Sequence, residues 1–315
     1  MSDKAHPGGG RVAVLGGTGW IGRHICAALS RHGHGVLAIA RNPVPHLCDH
    51  EFLPLDLTAA DPDRLVEVLR SERTEVVINA MDGANTTDGW DRTETELTDA
   101  NVEAVHRLLA AVGALPWRPR VVHIGTIHEY GPVGYGEPVG ESTVPSPVSL
   151  YARTKLAGST AVLDAARKGT VDGVVLRVSN VCGPHPSPPS FPGKLLSAAR
   201  AAAAGGRPEL SIADAKRDFV DVRDVAEAAL LAARAPVTAR PINIGSGVAV
   251  DIRDLVAQFL AVVGLPPDAV KEGAGPVPSL GGAWIQSDIR LARRLLGWFP
   301  RTSLRDSLQG MWDAR

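Results

Sequence analysis

The sequence predicts an α/β fold in which helices cover both faces of a parallel sheet, and three observations support this prediction. From residue 11 onward, short runs rich in β-branched residues alternate with longer amphipathic runs. The short runs are apolar on both faces, as strands are when helices cover the two sides of a parallel sheet. The glycine-rich turn "GGTGWIG" joins the first short run to the first amphipathic run. Together these features are typical of a Rossmann-type, doubly wound sheet.

The elements of this sheet follow one another in the first part of the chain. The predicted strands are "RVAVLG", "GVLAIAR", "EFLPLD", "EVVINAM", "RVVHIGT" and "GVVLRVS". The helices that alternate with them are predicted at residues 20–33, 62–72, 93–113 and 149–168.

The pattern changes after residue 182, where "CGPHPSPPSFPG" places five prolines within twelve residues. Proline interrupts both helices and central strands, so we expect an exposed loop at the carboxyl edge of the sheet. Beyond it we predict helices at 194–204, 222–234, 251–263, 288–296 and 303–313, a strand "ELSI", and a strand "PINIGS" that returns to the main sheet. The chain thus divides into a flexible tail (1–10), a Rossmann-type domain (11–182) and a smaller mixed α/β lobe (183–315) interleaved with the last strands of the sheet.

Composition limits the classes of function. The net charge is −1 over 315 residues, which argues against nucleic acid or an acidic membrane as a partner and favours a small molecule. Cys26, Cys48 and Cys182 are odd in number and lack CxxC pairing, so we expect neither a metal site nor a disulfide framework. No stretch reaches 18 consecutive apolar residues and no hydrophobic signal segment opens the chain, so a cytoplasmic location is expected.

The glycine-rich turn predicts a dinucleotide-binding site. Gly16 suits a tight turn, Gly19 permits close approach of a pyrophosphate to the backbone, and Gly22 permits the helix to pack on the sheet. The amino end of that helix supplies N–H donors and a partial positive charge to the phosphates. The residues between the glycines that we expect to contact the cofactor are Thr18, Trp20 and Ile21.

The end of the second strand indicates which cofactor binds. Where an acidic residue would hydrogen-bond the ribose of NAD, the chain has Arg41, which suits the 2′-phosphate of NADP. NADPH is therefore predicted, with Arg23 as a second charge partner, NAD as the less favoured cofactor, and a solvated loop role for Arg41 as the alternative. Asp56, followed by Leu57, is placed to bind the adenine amine, although helix capping fits it nearly as well. The remaining cofactor contacts are predicted at Asn79, Ala80 and Met81, where the fourth strand ends.

The segment "SLYARTKLAG" predicts the reactive groups. Tyr151 and Lys155 are four residues apart, so they share one face of a helix. Thr126 ends the fifth strand, at the sheet edge where doubly wound folds collect ligand-binding side chains. We expect the three side chains to converge over a nicotinamide, with the Lys155 ammonium lowering the pKa of the Tyr151 phenol.

With these motifs the chain resembles the extended short-chain dehydrogenase/reductase family, in its branch acting on nucleotide-linked sugars. The resemblance covers about residues 11 to 300 and depends on ordered motifs, namely "GGTGWIG", "NAM", "IGT", "YARTK", "LRVSNVCGP", "RDFVDVRDVA", "INIGSG" and "LGWFP". It implies that Thr126, Tyr151 and Lys155 form a catalytic triad, with Tyr151 as the proton donor. It also implies that Asn180 and Arg217 hold the substrate diphosphate, against an alternative in which Arg217 forms a surface ion pair. Relatives often carry a further arginine in the later loop, and "GPVPSLGGAWIQSD" has none.

The resemblance also bears on the reaction. Sugar dehydratases of the family place an acidic pair after the threonine, where this chain has Ile127 and His128, so dehydration is disfavoured. The stretch "IGTIHEYG" resembles 4-keto-6-deoxyhexose reductases. We therefore predict NADPH-dependent reduction of the C4 ketone of a nucleotide-linked, by resemblance dTDP-linked, 4-keto-6-deoxyhexose.

Three other interpretations stay open at this point. An NAD-dependent nucleotide-sugar 4-epimerase is the principal alternative. His128 and His185 match places where epimerase-reductases carry a second acid/base pair, and both are expected near the substrate. A redox-sensing protein without catalysis is a further alternative, disfavoured because such proteins typically lose the tyrosine or lysine. Relatives usually form homodimers through the helices at 93–113 and 149–168, so a homodimer is expected.

Overall fold

The computed structural model describes residues 11–45, 48–82, 92–275, 277, 279 and 281–314. The predicted tail, residues 1–10, lies outside this part of the chain.

The main sheet has seven strands, and all neighbouring strands are parallel. In chain order they are β1 (Arg11–Leu15), β2 (Gly35–Ala40), β3 (Glu51–Pro54), β4 (Val76–Asn79), β5 (Arg120–Thr126), β6 (Asp172–Val178) and β10 (Arg240–Ile244). Their order across the sheet is β10-β6-β5-β4-β1-β2-β3. The doubly wound parallel sheet is therefore confirmed, including the return of "PINIGS" to its edge.

Helices cover both faces of this sheet, as its two-sided apolar strands require. The helices of the described chain are α1 (Trp20–Arg31), α2 (Pro62–Ser71), α3 (Glu94–Thr98), α4 (Ala104–Gly113), α5 (Leu150–Arg167), α6 (Phe191–Ala203), α7 (Val222–Arg234), α8 (Ile252–Val262), α9 (Arg290–Leu296) and α10 (Leu304–Asp313). One apolar core joins α1 and α7 to one face, and a second joins α2, α4 and α5 to the other. No helix within the described ranges is long and apolar enough to span a membrane.

The helix predicted at 93–113 is interrupted by a π-helical turn, Asp99–Glu103, between α3 and α4. The carbonyl of Asn101 lies so close to Gly158 of α5 that a Cβ there would be 2.2 Å from its oxygen. The Asn101 amide also donates to Thr154 Oγ1 at 3.0 Å. This close approach of two helices gives the widened turn a packing role that sequence periodicity does not reveal.

The smaller lobe contains two short sheets. The strands β7 (Asn180–Cys182), β9 (Lys216–Asp221) and β11 (Ala249–Asp251) form one, and β8 (Glu209–Leu210) pairs with β12 (Lys271–Glu272) in the other. A third apolar core underlies them, between α6, α8 and α10. The division of the chain after residue 182 stays a prediction.

The proline-rich segment differs from the predicted loop at its two ends. Cys182 belongs to β7, and α6 begins at Phe191, three residues before the predicted start. Ser190 caps this helix by accepting from the backbone N–H of Gly193 at 3.2 Å. Pro192 lies in the first turn, where a helix tolerates proline because the missing N–H has no intrahelical partner there.

Candidate functional site

One large cavity, of about 1360 Å³, opens at the carboxyl ends of the central strands. It extends from the glycine-rich turn after β1, past the end of β5, to the smaller lobe. Among the residues lining it are Gly16, Arg41, Thr126, Tyr151, Asn180 and Arg217. The edge of the sheet thus brings together side chains that are far apart in the sequence.

The glycine-rich turn forms a backbone cradle. Gly16 has φ of 72°, a left-handed conformation that suits glycine. A Cβ on Gly22 would lie 2.1 Å from the Gly16 oxygen, so only glycine permits this packing. Gly19 is the N-cap of α1, and no described side chain caps the first turn of this helix. The open N–H groups and the helix dipole fit the pyrophosphate of a nicotinamide dinucleotide.

The residues beside the glycines differ in whether their side chains line the cavity. Thr18, Trp20 and Ile21 line the cavity, as predicted contacts should. Arg23 does not: its guanidinium donates to the backbone oxygen of His185 at 3.0 Å. The structure therefore does not place Arg23 where a second charge partner of the cofactor would lie.

Arg41 and Asp56 lie together at the β2–β3 end of the cavity. Arg41 is exposed and forms no ion pair or hydrogen bond with any described residue. Asp56 Oδ1 accepts from the backbone N–H and the hydroxyl of Thr58, at 3.0 and 2.7 Å. It does not cap α2, because Asp61 is the N-cap of that helix. Leu57 also lines the cavity, so this end offers a free cation and a carboxylate on one wall.

The residues after β4 shape the next part of the wall. Ala80 and Met81 line the cavity, whereas Asn79 is buried behind it. The Asn79 side-chain oxygen accepts from the Met81 N–H at 3.1 Å, and its amide nitrogen lies 3.0 Å from Nδ1 of the buried His123. Asn79 therefore holds the turn that carries the lining residues, and is not itself a lining residue.

The predicted catalytic residues meet at the middle of the cavity. Ser149 caps α5 by accepting from the Ala152 N–H at 3.1 Å, which places Tyr151 in the first turn. The Tyr151 hydroxyl interacts with the Thr126 hydroxyl and donates to Oδ2 of Asp82 at 3.0 Å. Lys155 is buried and donates to the backbone oxygen of Ile124 at 2.8 Å.

The electrostatics of Tyr151 differ from the prediction. Burial, the Asp82 carboxylate and the more distant Glu129 carboxylate raise the pKa of the Tyr151 phenol well above its ordinary value, and the Thr126 hydrogen bond opposes them. The net shift is opposite to the lowering expected from Lys155, whose ammonium donates to the backbone oxygen of Ile124. At neutral pH the phenol is protonated and can act as an acid.

Sequence reasoning missed a buried network beneath Thr126. Glu129 is fully buried and its Oε1 accepts from the Thr126 N–H at 3.0 Å and from the Ser159 hydroxyl at 2.8 Å. Its Oε2 accepts from the Arg177 guanidinium at 2.8 Å, and Arg177 lies 4.4 Å from the centre of the Tyr130 ring. The spacing Thr-x-x-Glu is a capping-box pattern, and this pattern could have indicated the contact of Glu129 with the Thr126 backbone.

At the far end of the cavity, Arg217 is buried without a carboxylate partner among the described residues. Its guanidinium donates to the backbone oxygens of Lys216 and Gly282 and to the Ser279 hydroxyl. Asp221, the alternative partner, pairs instead with Arg223 at 2.8 Å. Burial lowers the Arg217 pKa to about 10, so the group stays cationic at neutral pH. A buried cation held by neutral oxygens suits an anionic ligand.

Asp218, the other alternative partner of Arg217, is also occupied. It accepts from the backbone N–H groups of Ser246, Gly247 and Ser287, at distances of 2.6 to 3.0 Å. The surface ion pair considered for Arg217 is therefore not formed.

Of the two histidines, the structure brings only one to the cavity. His128 lines it and hydrogen-bonds Asn180, while burial and the neighbouring Arg217 lower its pKa to about 4. Asn180 also donates to the backbone oxygen of Asp218 at 3.3 Å. His185 lies outside the cavity, with its ring 6.2 Å from that of His24. The two histidines therefore do not form a pair around one substrate carbon.

Known proteins match this chain over most of its length. The NAD dependent epimerase/dehydratase family matches residues 12–245. A dTDP-6-deoxy-L-talose 4-dehydrogenase (NAD(P)(+)) of Kitasatospora kifunensis is 38% identical over 317 residues, covering 98% of this chain and 97% of the relative. A GDP-6-deoxy-D-mannose reductase of Pseudomonas aeruginosa is 27% identical and covers 97% of this chain and 98% of that protein.

A solved structure of MoeE5 in complex with UDP-glucuronic acid and NAD has a TM-score of 0.85 and 28% identity, covering 96% of this chain and 98% of MoeE5. The resemblance to the extended short-chain dehydrogenase/reductase family is therefore confirmed, and with it the prediction of an enzyme that uses a nicotinamide cofactor. The sheet, the glycine cradle and the full-length relatives lead to one conclusion: the chain belongs to the NAD dependent epimerase/dehydratase family.

Proposed function

We propose that this protein reduces the C4 ketone of a dTDP-linked 4-keto-6-deoxyhexose with NADPH. The observation that carries the proposal is the meeting of the Tyr151 and Thr126 hydroxyls in the middle of a cavity with a glycine cradle at one end and Arg217 at the other. The relative from Kitasatospora kifunensis is named for oxidation at C4 of a dTDP-linked 6-deoxyhexose. Reduction of the C4 ketone is the reverse of that reaction.

The chain supplies the groups that such a reduction requires. When bound, the reduced nicotinamide would supply the hydride. Thr126 and Tyr151 hydrogen-bond the ketone oxygen, and Tyr151 donates its proton as negative charge develops there. Lys155, fixed by the Ile124 carbonyl, holds the ribose of the cofactor and contributes a buried positive charge.

Arg41 supports NADPH as the cofactor. It is exposed on the cavity wall after β2 and is not engaged by another described residue. A 2′-phosphate carries about two negative charges, and a guanidinium fork binds phosphate oxygens in pairs. Asp56 and Leu57 lie on the same wall and contact the adenine. The second cation considered for this site, Arg23, takes no part.

Arg217 and Asn180 support a nucleotide diphosphate as the substrate carrier. Both line the lobe end of the cavity, and the cation of Arg217 is buried there beside neutral oxygens. His128 lies between them and the catalytic hydroxyls, neutral at physiological pH because burial lowers its pKa to about 4. A neutral imidazole binds sugar hydroxyls by hydrogen bonds. With His185 outside the cavity, reduction without epimerisation is the simpler reaction.

An NAD-dependent 4-epimerase is the second candidate. A UDP-glucose 4-epimerase of Mycolicibacterium smegmatis is 28% identical and covers 95% of this chain and 96% of that enzyme. An epimerase must first remove a proton from the C4 hydroxyl, which needs an ionised phenol. Epimerases of the family usually carry an acidic ligand for the ribose of NAD where this chain has Arg41, which favours a reductase that uses NADPH.

A two-substrate assay separates the candidates. The purified protein is incubated with NADPH and dTDP-4-keto-6-deoxyhexose, and separately with UDP-glucose and NAD. We expect NADPH consumption in the first mixture and no UDP-galactose in the second. Formation of UDP-galactose without turnover of the ketosugar would reject the reductase.

The assembly and location of the protein are part of the proposal. We expect a homodimer in the cytoplasm, formed through the helical segments at 93–113 and 149–168. Light scattering at micromolar concentration should give twice the chain mass of 33.1 kDa. A monomer at that concentration would contradict the expected homodimer.

A further inference from the structure

The carboxylate of Asp82 contacts the reacting group of the site. Asp82 follows β4 by three residues, lines the cavity and is exposed. Its Oδ2 accepts the hydrogen bond of the Tyr151 hydroxyl at 3.0 Å. The contact joins residues 69 positions apart in the chain.

The other groups facing the Tyr151 hydroxyl leave Asp82 as the one with access to water. Thr126 is buried and cannot carry a charge at neutral pH. Glu129 is fully buried and engaged by Arg177 and Ser159. Lys155, on the same helix, is buried and donates to a backbone carbonyl. Among the described residues, Asp82 therefore joins the phenol to the solvent of the cavity.

We propose that Asp82 is a catalytic residue that holds the Tyr151 proton between turnovers and returns one after each reduction. This inference rests on the proposed reductase function. The reduction adds a hydride from the nicotinamide cofactor to C4 and the phenol proton to the oxygen, so the C=O double bond becomes C–H and O–H single bonds. Tyr151 is left as a phenolate.

The phenolate then lies beside the Asp82 carboxylate. Two negative charges 3.0 Å apart repel each other, so the pair binds a proton more strongly than either group alone. Asp82 takes a proton from water or a buffer acid and passes it to the phenolate, which restores the phenol and the carboxylate. During the reaction the substrate ketone replaces Asp82 as the acceptor of the phenol hydrogen bond.

A titration of the free protein tests the first half of the proposal. The chain has three tyrosines, so ¹³C labelling at the phenol carbon gives few signals, and Tyr151→Phe identifies the relevant one. We expect Asp82→Asn to lower the Tyr151 pKa by about one unit or more. Asp164→Asn is the matched control. It removes an exposed carboxylate from α5, the helix that carries Tyr151, about 20 Å along the axis from Tyr151. An unchanged Tyr151 pKa in Asp82→Asn would overturn the proposal.

Kinetics test the second half. In Asp82→Asn, we expect the first turnover of NADPH to keep its rate within about twofold, while steady-state turnover falls about tenfold. Formate should restore steady-state turnover in Asp82→Gly. Equal losses in the first-turnover and steady-state rates, together with no rescue by formate, would overturn the proposal that Asp82 returns a proton to Tyr151. If wild-type protein does not reduce the ketosugar, the proposed function fails, but the titration of the free protein still decides the Asp82–Tyr151 coupling.

Discussion

At the scale of single residues, the site contains two arginines that differ in their burial and in their hydrogen-bond partners. Arg217 is buried and bonds neutral oxygens, while Arg41 is exposed and free among the described residues. Both lie on the wall of one cavity, at different ends. Sequence reasoning identified both positions, but only the folded structure shows that Arg217 has no carboxylate partner among the described residues. The two arginines therefore give separate predictions.

Replacing Arg41 should change cofactor preference and leave the chemistry intact. We expect Arg41→Ala to lower kcat/KM for NADPH by about 10- to 100-fold, because a phosphate loses a charged, forked partner. The value for NADH should change by less than about twofold. Initial rates with both cofactors measure this, with Arg64→Ala on α2 as the control for loss of a surface arginine. An equal loss of kcat/KM with both cofactors would show that Arg41 does not bind the 2′-phosphate.

Replacing Arg217 should weaken binding of the nucleotide diphosphate. Calorimetry with dTDP should show about 10- to 100-fold weaker binding to Arg217→Met. Arg217→Lys should recover part of the loss, since it keeps the charge without the planar fork. Thermal unfolding of both variants controls for misfolding. Wild-type dTDP affinity in a folded Arg217→Met protein would remove Arg217 from the substrate site.

At the scale of elements, helix caps and close contacts set the geometry of the site. Ser149 caps the amino end of α5 and so fixes the position of Tyr151 relative to the sheet. The alternation of apolar strands with amphipathic helices predicted the strands of the main sheet, whereas a short polar strand such as β12 carries no such pattern. The π-helical turn at Asp99–Glu103 could not be predicted this way, because its cause is the contact of Asn101 with Gly158 on another helix. Glu129 was missed because its partner Arg177 is far away in the sequence.

The pair of Glu129 and Arg177 should be a sensitive point of stability. Glu129→Gln leaves the Arg177 cation buried, and breaking such a pair costs about 3–5 kcal/mol of unfolding free energy. Urea denaturation measures this. Glu67→Gln, which breaks the exposed pair with Arg64, should change the unfolding free energy by about 0.5 kcal/mol or less. Equal small effects of both variants would show that the buried network contributes little.

At the scale of the whole molecule, the sheet brings two distant ligand-binding regions to one edge. The glycine cradle follows β1, the catalytic hydroxyls follow β5, and Arg217 comes from a small sheet in the lobe. Fold class and cradle could be predicted from the sequence because both depend on local patterns. The pKa of Tyr151 could not, since it depends on burial of the phenol and on its contact with Asp82, which arise only in the folded chain.

Buried histidines should make the whole molecule less stable in mild acid. Burial lowers the pKa of His24 to about 4, whereas the unfolded chain protonates it near 6.5. Its contribution to stability is therefore complete above pH 6.5 and is lost as the pH falls toward 4. We expect a loss of about 2 kcal/mol from His24 by pH 4.5.

Urea denaturation between pH 7 and 4.5 measures the slope of stability with pH. His24→Gln should make it shallower, because glutamine keeps a donor to the Pro184 oxygen without titrating. An identical slope in wild type and His24→Gln would show that His24 is not a source of acid sensitivity.

The central claim is tested most directly by following the hydride. The protein is incubated with dTDP-4-keto-6-deoxyhexose and NADPH deuterated at C4 of the nicotinamide, and the sugar is analysed by NMR. We predict one deuterium at sugar C4 for each NADPH consumed, at a rate about 100-fold or more lower in Tyr151→Phe. A sugar that is interconverted without label and without loss of NADPH would contradict the account.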